Sequence, residues 1–531
     1  MGETAADIDR PDDQEPDYMP PPGGARVLTA IAGFGAIAAY AFYQIVDKFE
    51  DAAEPLFAAA ATFAITVAIG WAVLARASRV VAAGVASVVI AAALAAGMAR
   101  IYAVAESAPD IDTALPLFWL AAGGPLAFFL LLVFSKASID ARTPPPYRAL
   151  FLHGLSLPLI GGAAKIFAGL ICAFLFTWAW LFDSLGVSIF LEIVREPWFL
   201  LPFLGGVGAL SVGVIRGRTA VIGALRFIVL LFCRIAAPLG AAFAITLAGL
   251  LAVQGVDGVF EGGGVASTML AFAIAGMLIV NGVYQNGDGP PPALWLRLST
   301  LVLLILIPLF VGLAAWALWL RVEQYGLTPP RFLGLAMVAQ AVIYAAFGLI
   351  AAGSELHWRA ERWMRPLGVL NTAHAGLWVV ILFGLLTPLL DPYAWSARHQ
   401  AERVRSQSVS IEEFDFGYLY FRLGRAGERE AEALAAINDH PEYWEINRRL
   451  EIARDAFNIY AYEEQLNPPE EPEGEADAPE AGAAEEAPGS PPPAEPTTDA
   501  ATEPPAATPD ETSDDDMAFP DLSDEPEPDD G

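Results

Sequence analysis

Eleven long apolar runs constrain what this 531-residue chain can fold into. A helix needs about 20 residues to cross a hydrocarbon core roughly 30 Å thick, and these runs are continuous, whereas lipid-spanning strands would alternate. With 55% hydrophobic and 17% charged residues, the chain is too apolar for an ordinary soluble protein. The sequence therefore predicts an all-α, polytopic transmembrane helix bundle. The predicted spans cover residues 27–46, 55–75, 80–99, 115–134, 166–182, 197–215, 235–253, 265–283, 298–320, 332–352 and 367–390.

Two stretches leave the number of spans open. Residues 149–182 are apolar but too long for one span and short for two, so we predict an interfacial or re-entrant segment before the fifth span. Residues 219–234 place Arg226 and Arg234 in an apolar background, which is typical of a surface helix whose cations reach the headgroups. One span more or fewer would move the C-terminal residues to the other side of the membrane.

Lys and Arg are unevenly distributed among the connections between predicted spans, which we number from the N-terminus. Apart from Lys165 and Arg234, which directly precede spans, even-numbered connections contain twelve of these cations and odd-numbered ones contain five. Because cytoplasmic loops are enriched in Lys and Arg, we expect a cytoplasmic N-terminus and, with eleven spans, a periplasmic C-terminus. The first span follows an acidic, Pro-rich leader without the features of a cleavable signal peptide. The expected location is the inner membrane of a Gram-negative bacterium.

The formal charge of −31 belongs almost entirely to the two ends of the chain. Residues 468–531 contain 22 acidic residues and no Lys or Arg, and residues 1–24 contain seven acidic residues and one Arg. Such segments cannot bury enough apolar surface to offset the entropy of ordering. We therefore predict a disordered leader (residues 1–25) and a disordered tail (residues 467–531). The absence of a basic stripe in them argues against a nucleic-acid partner.

Residues 393–466 form a predicted helical module outside the membrane domain, which covers residues 26–392. Its expected helices lie in residues 395–407, 410–424, 428–437 and 441–465, and Gly424 is expected to end the second of them. The module is small, so we expect it to be stabilised by packing against the membrane domain or a partner. The last helix has one apolar face, made by Ile446, Leu450, Ala453, Phe457 and Tyr460.

A polar hinge, residues 321–331, joins the ninth and tenth predicted spans. Gly326 suits the left-handed position that ends a helix, Thr328 suits an N-cap, and Pro329 suits the first turn of the next helix. The hinge is either a mouth that selects an anion or a structural lock that pairs internally and with the region of Asp391. We favour the lock, because cations and aromatic residues commonly anchor helices at the membrane interface. Both interpretations use Arg321, Glu323, Tyr325 and Arg331.

The same hinge carries a resemblance to a known family. The segments RVEQYGLTPPRFLGL, LLDPYAWSARHQAERV and EEFDFGYLYFRLGRAGEREAEAL resemble bacterial membrane proteins grouped as domain of unknown function 4153. This resemblance implies a polytopic bacterial membrane protein and supplies no activity. The matching residues are Arg321, Gln324, Tyr325, Gly326, Leu327, Thr328, Pro329, Arg331, Asp391, Pro392, Ser396 and Gln400.

Polar side chains inside the spans are a second candidate site. Asn371 and His374 share a helix face, where they either line a path for a proton or solute or tie helices together by hydrogen bonds. We favour the structural interpretation, since no Asp or Glu lies deep in any predicted span. Lys165, at the start of the fifth predicted span, either extends to the headgroups or binds an anionic group. The candidates are Asn281, Gln340, Tyr344, Asn371, His374 and Lys165.

No motif of soluble catalysis occurs in the sequence, whether GxSxG, HExxH or a Walker sequence. The five histidines and the two cysteines lack metal-ligand spacing, so we predict no catalytic residue, metal or cofactor. The leading hypothesis is a non-enzymatic envelope scaffold or sensor that presents residues 393–531 to envelope proteins. The alternative is a transporter of a small solute or lipid. In both cases the lipid bilayer is a partner.

Overall fold

The computed structural model describes residues 24–48, 54–76, 78–107, 110–259, 264–357, 363–437 and 439–467. These residues form seventeen α-helices and two π-helical turns, and no strand occurs among them. The all-α fold class is therefore confirmed. The predicted disordered leader and tail fall almost wholly outside the described residues.

Eleven helical segments are long and apolar enough to cross a membrane, which confirms the predicted number of spans and a multi-pass membrane protein. The π-helical turn Trp119–Gly123 joins α4 and α5 into one segment, and α7 is a short connecting helix. In chain order the helices are α1 (Ala25–Lys48), α2 (Glu54–Leu74), α3 (Val80–Ala105), α4 (Ala114–Phe118), α5 (Gly124–Asp140), α6 (Tyr147–Ser184), α7 (Ile189–Arg195), α8 (Pro197–Arg216), α9 (Thr219–Val259), α10 (Val265–Tyr284), α11 (Leu294–Tyr325), α12 (Pro329–His357) and α13 (Pro366–Gly384).

Contrary to the prediction, the two ambiguous stretches are not separate segments, because each is continuous with the helix of the span that follows it. α6 has 38 residues and continues through Pro158, while α9 has 41 residues and departs from helical geometry at Gly255. Proline inside a membrane helix is tolerated because neighbouring helices and local adjustment satisfy the freed backbone groups. At 1.5 Å per residue α6 is about 57 Å long, roughly twice the hydrocarbon thickness. It therefore tilts or extends beyond the hydrocarbon core.

Small residues bring α1 and α8 close together. A Cβ atom on Gly35 of α1 would come within 2.5 Å of the Gly205 carbonyl oxygen and of the Ala209 Cβ on α8. Lipid provides no hydrophobic drive between helices, so close backbone approach through Gly and Ala gains van der Waals contact instead. As a result, the first span packs against the sixth.

The C-terminal module contains four α-helices and a π-helical turn at Tyr418–Arg422. Gly424, with φ of 54°, follows the last residues of the π-helical turn, so it ends that segment as the sequence predicted, and it is also the first residue of the next helix. The helix predicted over residues 441–465 is broken after Asp455, and Asn458 caps the next helix by accepting a hydrogen bond from Ala461 N. The helices are α14 (Pro392–Arg405), α15 (Gly424–Ala435), α16 (Tyr443–Asp455) and α17 (Ile459–Leu466).

This break changes the apolar face that was predicted for the last helix. Ile446, Leu450 and Ala453 are buried as expected, whereas Phe457 and Tyr460 are exposed. The chain turns after α16, so the periodicity of one helix does not continue into the next. The buried positions in α17 are Ile459 and Tyr462.

The module shares an apolar core with the membrane domain. One cluster of buried side chains contains Ile101 of α3 and Leu115 of α4 together with Phe416, Leu419 and Leu450 of the module. All described residues accordingly belong to one compact unit. The expectation that the module packs against the membrane domain is confirmed.

Candidate functional site

The hinge ends α11 at Tyr325 and begins α12 at Pro329. Gly326 has the predicted positive φ, 76°, but its ψ of 172° lies outside the left-handed helical region. The Thr328 carbonyl accepts a hydrogen bond from Phe332 N at 2.8 Å, so Thr328 occupies the predicted N-cap position. The chain therefore leaves α11 in an extended conformation that is essentially restricted to glycine.

Two arginines flank the ring of Tyr325. The guanidinium carbons of Arg321 and Arg331 lie 5.8 and 5.4 Å from the ring centroid, within the range of cation–π contacts. Arg331 Nη1 also donates to the Gly326 carbonyl at 2.7 Å. Glu323 is exposed. Three of the four predicted hinge residues, Arg321, Tyr325 and Arg331, thus contact one another. These contacts stabilise the conformation of the hinge.

Helix α14 supplies hydrogen-bond partners to the hinge backbone. Gln400 Nε2 donates to the carbonyls of Tyr325 and Leu327 at 3.2 and 3.1 Å. Leu327 N donates to His399 Nδ1 at 3.2 Å. Irregular backbone needs such partners, because an unpaired polar group is costly once it is removed from water. These contacts favour the structural lock over the anion-selecting mouth.

The lock interpretation expected the hinge to pair with the region of Asp391, and the residues of that region that do so are His399 and Gln400 rather than Asp391 itself. Its Oδ1 caps α14 by accepting from Tyr393 N at 3.0 Å and Ala394 N at 3.3 Å. Its Oδ2 forms an ion pair with Arg100 Nη2 on α3 at 3.0 Å. Asp391 therefore attaches the start of α14 to the third span.

The connection between α3 and α4 is the second docking point of the module. Asp112 N donates to the Arg422 carbonyl at 2.9 Å, and the hydroxyls of Tyr393 and Tyr418 donate to the Asp112 carbonyl and carboxylate at 2.5 and 3.3 Å. Burial, followed by the neighbouring Asp112, raises the pKa of both tyrosines, so they stay protonated donors. The connections after the third and ninth spans lie on the same side of an eleven-span bundle, and the module contacts both.

We expect this docking to weaken in acid because of His399. Burial, followed by the nearby Arg403, lowers the pKa of His399 from its ordinary value of 6.5, and its Nδ1 must be unprotonated to accept Leu327 N–H. A base whose folded-state pKa is lowered contributes stability that is complete above the unfolded-state pKa and is lost as the pH falls below it. Hydrogen-exchange protection of the Leu327 amide should therefore decrease between about pH 7 and pH 5.

The matched variant is His399→Asn, whose side-chain oxygen accepts a hydrogen bond but does not titrate. Its protection of Leu327 should stay constant over the same pH range. An equal decrease in both proteins would show that another group controls the docking.

The predicted polar residues of the spans meet where α6, α10, α12 and α13 adjoin. Asn371 Nδ2 donates to Asn281 Oδ1 at 2.7 Å and lies 3.3 Å from the Tyr147 hydroxyl. Asn281 Nδ2 donates to the Tyr344 hydroxyl at 3.2 Å. We call Tyr147, Asn281, Tyr344 and Asn371 the polar cluster. Its members satisfy one another, as interhelical hydrogen bonds in membranes do.

His374 and Gln340 adjoin the polar cluster. His374 Nε2 lies 3.1 Å from the Gln340 carbonyl oxygen, and the His374 ring packs against Tyr344 with centroids 5.6 Å apart. The side-chain amide of Gln340 is buried and has no hydrogen-bond partner among the described groups. Lys165 is different, since it lies exposed near the middle of α6, where its long side chain can extend toward headgroups.

The most deeply buried charges were missed from the sequence. Lys136 Nζ lies 2.9 Å from Asp140 Oδ2 within α5, His153 Nε2 of α6 lies 3.5 Å from the same oxygen, and Arg76 Nη1 lies 3.9 Å from Asp140 Oδ1. The side chains of Asp140 and His153 are fully inaccessible. The i, i+4 spacing of Lys136 and Asp140 was a usable signal, but both residues follow the predicted fourth span and were assigned to a connection.

The chemistry available at these sites is that of hydrogen bonding and ion pairing. Within the described ranges, no group of three or more His, Cys, Asp or Glu side chains is arranged to hold a metal ion. No family model, no curated protein and no solved structure matches the chain.

Proposed function

We propose that the chain is a non-enzymatic scaffold or sensor of a bacterial inner membrane, in which residues 393–467 are a fixed platform at the membrane surface. The docking of the module on two connections at once carries this proposal. The hinge contacts, the Arg100–Asp391 ion pair at 3.0 Å and the shared apolar core hold the module in one position. A scaffold needs a binding surface that is held in this way relative to the bilayer.

The module exposes three large aromatic side chains that a partner could contact. Trp444, Phe457 and Tyr460 are 83%, 81% and 67% exposed. Aromatic residues are enriched in protein interfaces and often carry much of the binding energy. We therefore assign these three residues to contact with an envelope protein.

The orientation of the platform follows from the distribution of cations. Even-numbered connections are richer in Lys and Arg, which supports a cytoplasmic N-terminus. With eleven spans, the platform then faces the periplasm. Membership in the family called domain of unknown function 4153 stays a prediction from the hinge residues.

Site-specific photocrosslinking in cells tests the scaffold proposal. A photoreactive phenylalanine analogue placed at Trp444, Phe457 or Tyr460 should cross-link to a discrete protein. The control position is Glu451, which is exposed on α16 and should give no such product. Cross-links to lipid alone, or equal labelling at all four positions, would contradict a specific protein contact at this surface.

Transport of a small solute is the second candidate function. The polar cluster crosses four helices, and the buried Lys136–Asp140 pair adds ionisable groups to the bundle. Polar residues at such positions commonly line substrate paths. A transporter would exchange the hydrogen bonds within the polar cluster for hydrogen bonds to its solute. We place this candidate second because those side chains already satisfy one another.

A further inference from the structure

An apolar cleft opens toward the lipid between α1, α2 and α8. Its lining consists only of Gly, Ala, Val, Leu, Ile and Phe residues, and it encloses about 280 Å³, near the lower end of the range for small-molecule sites. Ala64, Ala68 and Ala72 recur every fourth residue along its α2 wall. The exposed Ile65 and Ile69 form its edge. The cleft is therefore continuous with the lipid phase.

The long axis of the cleft follows the helices. Its walls extend from Ala64 to Ala72 on α2 and from Leu204 to Val212 on α8. At 1.5 Å per residue each wall is about 12 Å long, close to the roughly 15 Å hydrocarbon thickness of one leaflet. A lipid acyl chain in that leaflet has the same direction and a comparable length.

Cations gather at one end of this cleft. Arg76 and Arg216 lie one helical turn beyond Ala72 and Val212. Arg216 donates to the Ala72 and Ala75 carbonyls at 2.5 and 2.8 Å, which fixes its side chain at the end of α2. Arg76 also pairs with Asp140 at 3.9 Å.

Three more arginines complete what we call the cationic rim. Arg26 lies at the start of α1, Arg79 follows α2 and Arg218 follows α8. All three are exposed, and each lies near an end of a helix that lines the cleft. Neighbouring residues 24–28, 74–80 and 213–219 contain no Asp or Glu. The rim consists of the exposed Arg26, Arg79 and Arg218, which are open to a phosphate, together with the half-buried Arg76 and the buried Arg216, which add positive charge beside them.

We propose that the cleft binds an acyl chain of an anionic phospholipid whose phosphate lies on the cationic rim. The apolar lining offers no hydrogen bond to a polar solute. A helix from a second copy of the chain would fill the cleft but bring no counter-charge to the exposed Arg26, Arg79 and Arg218 of the rim, and a zwitterionic lipid would bring no net charge to them. An anionic phospholipid satisfies both features, in the way that basic pockets between membrane helices bind anionic headgroups. This site is independent of the proposed scaffold function.

Native mass spectrometry of the delipidated full-length protein in a mild detergent measures this binding. The probes are phosphatidylglycerol and phosphatidylcholine with identical acyl chains, and glycerol phosphate as a headgroup without chains. Phosphatidylglycerol should bind at least tenfold more tightly than phosphatidylcholine. Glycerol phosphate should not bind, because it cannot occupy the cleft. Equal affinity for the two lipids would overturn the role of the rim.

Two variants separate the cleft from the rim. Ala68→Phe fills the cleft and should remove the tightest phosphatidylglycerol site, whereas the control Ala92→Phe adds the same ring to the exposed face of α3 and should keep it. Arg79→Gln with Arg218→Gln should weaken phosphatidylglycerol binding about tenfold or more. The control Arg425→Gln removes an exposed charge from the module and should have no effect.

The wild-type protein provides a test that does not depend on folding of the variants. Phosphatidylglycerol with a photoreactive acyl chain, reconstituted with the protein in vesicles, should label peptides containing residues 64–72 and 204–212. Uniform labelling of lipid-facing helices, or unchanged binding in Ala68→Phe, would overturn the proposal. A dimer cross-linked through the same residues would assign the cleft to a second copy of the chain.

Discussion

Replacing Asp140 by Asn should greatly reduce the amount of folded protein. The substitution removes the negative charge 2.9 Å from the buried Lys136 ammonium and leaves that cation next to Arg76 without its counter-charge. Breaking one side of a buried ion pair typically costs about 3–5 kcal/mol, which is a large fraction of the stability of a protein. The measurement is the folded fraction of a fluorescent fusion by size-exclusion chromatography, together with its apparent melting temperature in detergent.

Two further variants make this result interpretable. Asp288→Asn changes a carboxylate that is 54% exposed and pairs with Arg148 at 3.6 Å, so its effect should be below about 1 kcal/mol. Lys136→Met combined with Asp140→Leu removes both charges and should recover much of the folded protein, since an apolar pair of similar volume often replaces a buried ion pair without loss. If Asp140→Asn melts like the wild type, the buried pair does not support the fold and a role in function becomes the better explanation.

Replacing Gly326 by Ala should release the module from the hinge. With φ of 76° and ψ of 172°, an L-residue is strained by roughly 1–3 kcal/mol, and the new Cβ would lie 2.5 Å from Gln400 Nε2. Gln400 would then lose its hydrogen bonds to the hinge carbonyls. A loss of about 2 kcal/mol corresponds to roughly a 30-fold larger undocked population. Trypsin cleavage after Arg403 and Arg405 of α14 should accelerate by a similar factor, provided that reclosing is faster than cleavage.

Gly312→Ala is the matched control for this experiment. It makes the same change in the middle of α11, where a Cβ atom would meet nothing within 4 Å. Alanine favours helix more than glycine, so trypsin cleavage in α14 should be as slow as in the wild type. Equal acceleration in Gly312→Ala and Gly326→Ala would mean that cleavage reports a general loss of stability rather than undocking.

The number of spans was predictable because hydropathy depends on local composition alone. Errors arose where composition does not decide continuity, as in α6, where the length of the apolar stretch predicted a separate segment although one helix continues through Pro158. A proline in an aqueous helix is disruptive, but in a packed bundle its effect depends on neighbours that the sequence does not identify. The same limit explains Phe457, whose spacing fits the α16 face although the chain turns before reaching it.

A candidate site could be predicted where a polar residue interrupts an apolar run, and was missed where a charged residue lies among other charged residues. Asn281 and Asn371 stand out within apolar runs, and they do meet, at 2.7 Å. Asp140 lies among charged residues at a span boundary, so its burial depends on how α5 and α6 pack and not on its local sequence. The docking of His399 and Gln400 on the hinge joins residues more than 70 positions apart. No local pattern indicates such pairing.

The Arg100–Asp391 ion pair at 3.0 Å implies an order of biogenesis. Arg100 enters the membrane domain early in translation, but its partner is synthesised 291 residues later. The connection around Asp112 likewise gains its Tyr418 contact only once the module has been made. Domains generally fold in the order of synthesis, and exposed unfinished surfaces invite misassembly and quality control. The contacts of the module are therefore the last to form, and we expect chains truncated before α14 to be degraded even though they contain every span.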